Sequence, residues 1–285
     1  MKLIDSIKIY PQHLLPQHKL SAVMHAITRS KSTYIKNLII QQLIRHFRVD
    51  MTDTLVEDYR DYATVNHFFT RALKPESRPI CKDNNAIASP VDGTVSQIGK
   101  IDSNQIFQAK GHQYSLQDLL GNDNYFEQFI NGHFATLYLS PKDYHRIHCP
   151  LTGNLKKMIH VPGKLFSVNP VTVNNVPNLF ARNERVISIF ETDAGYMAVI
   201  LVGAIFVSSI ETTWAGKITP PNGKMIRSWE YDNANINLSK GVELGRFNMG
   251  STAILLFQQD KINWLADLAA ESNVRMGQEI GRIHD

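Results

Sequence analysis

The segment Val186-Ile-Ser-Ile-Phe-Glu-Thr-Asp-Ala-Gly-Tyr-Met-Ala-Val-Ile-Leu-Val202 decides the fold class. Val186–Phe190 and Tyr196–Val202 are short apolar runs rich in β-branched residues, and Asp193-Ala-Gly195 between them carries turn chemistry. They read as two strands. The same pattern extends outward, with Ala204–Ile210 expected as a further strand. Upstream, Leu155–Val161 stops at Pro162-Gly163, and Phe134–Leu139 runs into Ser140-Pro141. Asp92-Gly93, between Ala86–Val91 and Thr94–Ile98, has the signature of a hairpin. Downstream, Thr252–Phe257 reads as a strand and Ile262–Ala270 as a closing helix. No internal repeat or low-complexity tract breaks this pattern.

The first fifty residues differ. After Pro11 and Pro16, apolar residues recur at helical spacing: Leu20, Val23, Met24 and Ile27, then Ile35, Ile39 and Leu43 beside Ile40, Ile44 and Phe47. The chain is therefore read as α+β, an N-terminal amphipathic helical region followed by a β-rich core. The expected divisions are a membrane-associating helical region over 1–50, a connecting helical or extended segment over 51–84, and a β-rich catalytic core over 85–285.

Charge is unevenly placed. Residues 1–50 carry eight Lys/Arg against two Asp, whereas the remainder carries 22 Lys/Arg against 24 Asp/Glu. The basic character belongs to the N-terminal segment, which points to an anionic partner. An apolar stripe beside Lys and Arg suits a helix lying in a membrane interface; the same periodicity also suits a helix packed on a core. No nucleic-acid reader motif or basic–aromatic platform is present, so nucleic acid is not expected. No stretch approaches the roughly twenty apolar residues of a spanning helix. The N-terminus shows no secretory h-region or cleavage site. Two cysteines, Cys81 and Cys149, do not make a disulfide framework and point to a reducing compartment.

The candidate chemistry lies in Gly245-Arg-Phe-Asn-Met-Gly-Ser-Thr-Ala-Ile-Leu-Leu-Phe257. A Gly–Ser bond in a tight turn can break itself. The Ser251 hydroxyl attacks the Gly250 carbonyl, and glycine has no side chain to crowd that approach. The resulting ester can eliminate, leaving dehydroalanine and then a pyruvoyl group at residue 251. In isolation, Gly-Ser-Thr is usually just a turn or a strand start. Two further runs supply an acid and a base: Ser89-Pro-Val-Asp-Gly-Thr-Val-Ser96 and Tyr138-Leu-Ser-Pro-Lys-Asp-Tyr-His-Arg-Ile-His-Cys-Pro150.

His145 and His148 follow a strand and a Ser-Pro break, which places them on a loop or short helical turn. Their spacing beside Cys149 also resembles a metal pair, but no second Cys/His pair accompanies it and a structural zinc site wants four ligands. The other role is acid–base work, since histidine titrates near neutrality. Such a histidine wants an orienting carboxylate. Asp92 is the candidate, although a hairpin turn alone would also explain it. Spacing allows either histidine to face the serine.

The whole chain resembles the bacterial phosphatidylserine decarboxylase proenzymes. The resemblance rests on Asn66-His-Phe-Phe-Thr-Arg-Ala-Leu-Lys-Pro-Glu-Ser-Arg-Pro79, Ser-Pro-Val-Asp-Gly93, Tyr144-His-Arg-Ile-His148 and Gly163-Lys-Leu-Phe-Ser-Val168. It continues through Asn175-Val-Pro-Asn-Leu-Phe-Ala-Arg-Asn-Glu-Arg185 to Gly250-Ser-Thr252. Met249 stands where many relatives have leucine, a conservative apolar exchange.

The resemblance implies a pyruvoyl-dependent decarboxylation of phosphatidylserine to phosphatidylethanolamine and CO2. Asp92, His148 and Ser251 would form the charge relay for cleavage between Gly250 and Ser251. Residues 1–250 would become a β chain. Residues 251–285 would become an α chain headed by the pyruvoyl, which forms the Schiff base with substrate. His145 would serve decarboxylation and protonation at the substrate carbon, and Phe166, Ser167 and Val168 would lie by the active site. The implied cofactor is the covalent pyruvoyl from Ser251, an electron sink that replaces pyridoxal phosphate, with no metal. The implied partners are phosphatidylserine in an anionic membrane and, beyond the α/β pair, a dimer of processed protomers. The implied location is peripheral, on the cytoplasmic side of the cell membrane.

Two other readings compete. A Ser-His-Asp hydrolase would be expected to carry a Gly-x-Ser-x-Gly elbow, absent around Ser251. An inactive membrane scaffold would not need the Asp/His/Ser set.

Overall fold

A computed structural model describes residues 9, 11–12, 15–205, 209–219, 224–248 and 251–284. Its helices are α1 (Gln17–Thr28), α2 (Thr33–Phe47), α3 (Val65–Phe69), α4 (Leu116–Leu119), α5 (Pro170–Val173) and α6 (Leu179–Arg182). The strands are β1 (Ala86–Ala88), β2 (Gly93–Lys100), β3 (Gln105–Ala109), β4 (His112–Ser115), β5 (His133–Leu139), β6 (Arg146–His148) and β7 (Gly153–Val161). They continue with β8 (Arg185–Thr192), β9 (Gly195–Val202), β10 (Ile210–Thr212), β11 (Gly216–Thr219), β12 (Arg227–Glu230) and β13 (Asn237–Leu238). The last are β14 (Glu243–Phe247), β15 (Ser251–Phe257), β16 (Ile262–Trp264), β17 (Asn273–Val274) and β18 (Glu279–Ile283). The architecture is α+β with a β-rich core and helices at the N-terminus.

A nine-stranded antiparallel sheet runs β12-β7-β8-β9-β15-β5-β2-β17, with β13 also on β7. The stretch Val186–Val202 forms a hairpin at its heart, paired from Arg185↔Val202 to Thr192↔Gly195. Gly195 closes the turn at φ +75°, a conformation side chains resist. All seven residues of β15 are buried, between β5 and β9. That explains its unbroken apolar run: a strand covered on both faces cannot alternate. Smaller sheets, β11-β10-β14-β6, β1-β18-β16 and the pair β3-β4, complete the fold.

Four sequence expectations change. Asp92-Gly93 is not a hairpin turn, because β1 pairs with β18 whereas β2 pairs with β5 and β17. Gly93 is needed instead for close approach, since a Cβ there would lie 2.4 Å from the Tyr138 carbonyl oxygen. Ile262–Ala270 does not form a closing helix: Ile262–Trp264 pairs with β18 and the rest turns. Cross-strand pairing overrides the local pattern there. The strand expected over Ala204–Ile210 is present only from Ile210 onward, with 206–208 outside the described residues. Arg146–His148 is a short strand on β14 rather than a loop or helical turn.

Helix α1 packs with its polarity reversed. Gln17, Ser21 and Thr28 are its buried residues, whereas Val23 and Ile27 are exposed. Gln17 Oε1 accepts from the Leu165 N–H at 2.8 Å, and Gln12 Oε1 accepts from the Ser167 N–H at 2.9 Å. Helix α2 buries Ile40 in a small cluster with Tyr62, Val65 and Phe68, and exposes Tyr34, Ile35 and Leu38. Among the described residues no helix is long and apolar enough to cross a membrane.

Candidate active site

Ser251 is the first residue of β15 and lies opposite Leu139 of β5. Thr252 sits between Tyr138 and Val202. Both hydroxyls are buried, and neither has a hydrogen-bond partner among the described residues. Leaving a buried hydroxyl unpaired costs about 1–3 kcal/mol. The Ser251 Oγ is therefore held out of water with no hydrogen bond to any of the described residues. Gly250 and Met249 lie outside the described residues. Just upstream, the Asn248 N–H donates to the Ser209 carbonyl at 2.9 Å, and its Nδ2 donates to Glu211 Oε1 at 2.9 Å.

His145 is fully buried, with its ring 4.1 Å from that of Phe69. Its Nδ1 donates to the Asp143 carbonyl at 2.8 Å. A carbonyl only accepts, so the neutral ring carries its proton on Nδ1 and presents a bare lone pair at Nε2. That Nε2 is buried and has no hydrogen-bond partner among the described residues. Burial pushes the His145 pKa down to about 3. At neutral pH the ring is an acceptor, and it must first gain a proton before it can donate one.

His148 repeats the arrangement. Its Nδ1 donates to the Gly241 carbonyl at 2.7 Å, and its Nε2 accepts from the Tyr144 hydroxyl at 3.0 Å. Burial lowers the His148 pKa and pushes Tyr144 up to about 12, so Tyr144 stays a donor. Extended backbone does not bring residues three apart onto one face. Among the described residues no group of three His, Cys, Asp or Glu could hold a metal ion.

Asp92 is held elsewhere. Its carboxylate accepts a bidentate grip from Arg78, at 2.6 to 3.0 Å, and the Met276 N–H at 2.8 Å. Arg78 also donates to Asp53 Oδ2 at 2.8 Å. Asp92 and His148 are linked only through the backbone, His148 N–H to the Pro90 carbonyl at 2.9 Å, and through the Asp92 charge, which favours the imidazolium. No hydrogen bond joins Asp92, His148 and Ser251 to one another in this structure.

Phe166 is buried, its N–H bonded to Asn183 Oδ1 at 3.0 Å with the Arg182 guanidinium 4.9 Å from its ring centre. Ser167 is tied to Gln12 as described. Val168 lines a cavity of about 150 Å³ with Tyr138 and Thr94. Since Tyr138 pairs with Thr252, this cavity abuts the strands flanking residue 251.

Sequence reading did not single out Asp143, Tyr144, Arg71 or Arg78. Asp143 orients His145 through its carbonyl, while its carboxylate accepts from the Ser140 N–H and hydroxyl at 2.7 Å each. The Ser-Pro-Lys-Asp spacing was the available signal, because such side chains commonly close local turns. The arginines lie within the quoted run Asn66–Pro79, but nothing in spacing announces their partners.

The low pKa of His145 has a consequence for stability. The unfolded chain titrates near the ordinary value of 6.5 and the folded one at about 3, so the unfolded state binds more protons between them. The contribution is complete above pH 6.5 and is lost as pH falls, at up to about 1.4 kcal/mol per unit. Thermal melting of full-length Ser251→Ala protein should therefore drop between pH 6.5 and 5, and His145→Gln should flatten that slope. Equal slopes would contradict the assignment.

A buried serine heading a central strand, and two imidazoles at and beside β6 held below the ordinary histidine pKa, are groups that suit an enzyme. Comparisons with known proteins agree. The family described as phosphatidylserine decarboxylase matches residues 65–282, and one described as PSD matches residues 7–48. A phosphatidylserine decarboxylase proenzyme of Azotobacter vinelandii is 51% identical over 282 residues, covering 98% of each chain. One from Shewanella frigidimarina is 50% identical, covering 98% of this chain and 99% of its own, and one from Idiomarina loihiensis is 49% identical, covering 100% and 99%. The chain belongs to the phosphatidylserine decarboxylase family and is an enzyme of that family.

Proposed function

We propose that the protein cleaves itself between Gly250 and Ser251, converts Ser251 to a pyruvoyl group, and decarboxylates phosphatidylserine to phosphatidylethanolamine at a membrane surface. The observation that carries this reading is the buried Ser251 hydroxyl at the head of β15, which has no partner among the described residues. That orphaned atom fits the origin of the prosthetic group. Bound at residue 251, the pyruvoyl supplies an electron sink for breaking the carbon–carboxylate bond.

The self-cleavage balances without an outside oxidant. The Ser251 Oγ attacks the Gly250 carbonyl while a histidine takes its proton and returns it to the leaving nitrogen. The peptide becomes an ester. Removal of the Ser251 α-proton expels the Gly250 carboxylate and leaves dehydroalanine. Its imine form takes up water and releases ammonia. His148 is assigned the base role from the family resemblance; Tyr144, which now donates to its Nε2, must swing away before that lone pair can take the serine proton. Asp92 would stabilise the imidazolium through its charge. His145 is assigned to the substrate step. Its buried Nε2 can accept a proton and hand it on, with Phe69 shielding the ring from water. Phe166, Ser167 and Val168 are assigned to the substrate side.

The reversed polarity of α1 supports membrane attachment over the alternative of a helix packed on the core. Its Gln17 and His18 side chains dock on Gly163 and Leu165, while Val23 and Ile27 face out. Tyr34, Ile35 and Leu38 extend the apolar surface, with Lys19, Lys31, Arg45 and Arg48 exposed around it. At about 25 cal/mol per Å², half-exposed side chains of this size contribute on the order of 1 kcal/mol each on insertion, and each nearby cation about another 1 kcal/mol on an anionic surface. Ile35→Glu/Leu38→Glu should weaken binding to vesicles of phosphatidylglycerol and phosphatidylcholine by about tenfold or more at unchanged melting temperature. Undiminished binding would refute the attachment.

The activity is tested with purified protein and phosphatidylserine vesicles, following products by mass spectrometry. Phosphatidylethanolamine and CO2 should appear in equal amounts. Release of free serine or fatty acid without CO2 would instead establish a hydrolase.

A further inference from the structure

A cleft of about 360 Å³ lies between the C-terminal end of α2, strands β2 and β17, and the turn after β5. Its wall includes Asp92, Gly93 and Thr94. Thr94 pairs with Tyr138, which pairs with Thr252. The cleft wall is thus two strands from the reacting strand, roughly 10 Å at the usual interstrand spacing.

The charges lining this cleft are unevenly committed. Every carboxylate accepts from a named donor: Asp92 and Asp53 from Arg78, Asp50 from the Thr52 N–H and hydroxyl, and Asp143 from Ser140. Four cations are not so matched. Arg48, Lys142 and Arg275 stand exposed at the rim, and among the described residues none has an ion-pair partner.

Arg71 is the unusual one. It is only 3% exposed. Its Nη2 donates to the Lys142 carbonyl at 2.8 Å, and its guanidinium lies 5.4 Å from the Phe68 ring centre. Its Nε and Nη1 are buried and have no hydrogen-bond partner among the described residues. Arginine stays charged in proteins, so these are two unmet donors on a buried cation, more costly than unmet neutral ones. An anion with several acceptor oxygens would satisfy them, and the guanidinium fork matches phosphate.

We propose that the cleft around Arg71 is a phosphate-binding site that takes the phosphodiester of a glycerophospholipid headgroup, with Lys142, Arg275 and Arg48 gathering it at the rim. This rests on the phospholipid substrate proposed above. Arg71 then serves as a binding residue: it anchors charge that does not change during the reaction and touches no reacting bond.

The test uses full-length Ser251→Ala protein, so that binding is measured without turnover. Soluble dihexanoyl phosphatidylserine and inorganic phosphate are titrated separately by calorimetry. The lipid should bind, more weakly as salt rises, because the contact is ionic. Lys142→Gln/Arg275→Gln should weaken lipid binding three- to tenfold and Arg71→Met by tenfold or more. If Arg71→Met fails to fold, the rim pair, which lies on the surface, still decides. In otherwise wild-type protein the rim pair should raise KM more than it lowers kcat. Lipid binding unchanged in the variants would overturn the site. Binding of inorganic phosphate without the lipid would overturn the lipid assignment. Loss of decarboxylation in the wild type would refute the proposed function but leave this binding result intact.

Discussion

Ser251→Ala should remain a single chain of 32.3 kDa and lose phosphatidylserine turnover by more than about 10³-fold, as expected when the group that starts a covalent reaction is removed. The effect should be chemical and not structural. The hydroxyl has no partner to lose among the described residues, and β15 keeps its pairing with β5 and β9. Against wild-type precursor that has not yet cleaved, melting temperature should be equal or slightly higher, because an unsatisfied buried oxygen is gone. Electrophoresis and calorimetry on one preparation check both halves. A variant that still splits, or still releases CO2, would show that residue 251 is not the source of the carbonyl.

The two histidines should separate the two reactions. His148→Ala should slow self-cleavage by about 10²-fold or more, the usual worth of a positioned general base. Full-length chain should then accumulate. His145→Ala should still mature but lose about 10²-fold in kcat for decarboxylation. Both rings share one geometry: a backbone carbonyl fixes the Nδ1 proton and leaves the lone pair on Nε2. They differ in what faces that lone pair, since Tyr144 donates to His148 and nothing among the described residues donates to His145. A reversed outcome, with His145→Ala blocking maturation and His148→Ala sparing it, would exchange the assignments. Gel densitometry over time and a CO2-release assay on matured protein distinguish them.

The β-rich core was legible because its signals are local. Apolar runs bounded by Pro-Gly or Asp-Ala-Gly became β7, β8 and β9, with bounds off by one or two residues. Local signals failed where a distant partner decided. Asp92-Gly93 looks like a turn, but Arg78 and Met276 claim the aspartate and the Tyr138 carbonyl excludes a side chain at 93. Ile262–Trp264 follows its partner β18 instead of its own helical pattern. The apolar stripe of α1 was visible, whereas its direction was not. Periodicity finds a face but does not say whether core or solvent receives it, and the contacts of Gln12 and Gln17 settle which side docks on the protein. Ser251, His145 and His148 stand in recognisable motifs, so they could be named as candidates from sequence. The Arg78 grip on Asp92 and the buried Arg71 could not, because they arise from chain crossings that spacing does not encode.

The most direct measurement is the denaturing intact mass of purified, active wild-type protein. Two fragments should appear, residues 1–250 and residues 251–285. The smaller one should lack a free N-terminal amine and be lighter than a serine-initiated fragment by one ammonia. Active material found as one unbroken chain, or as a small fragment beginning with an ordinary serine, would contradict the account.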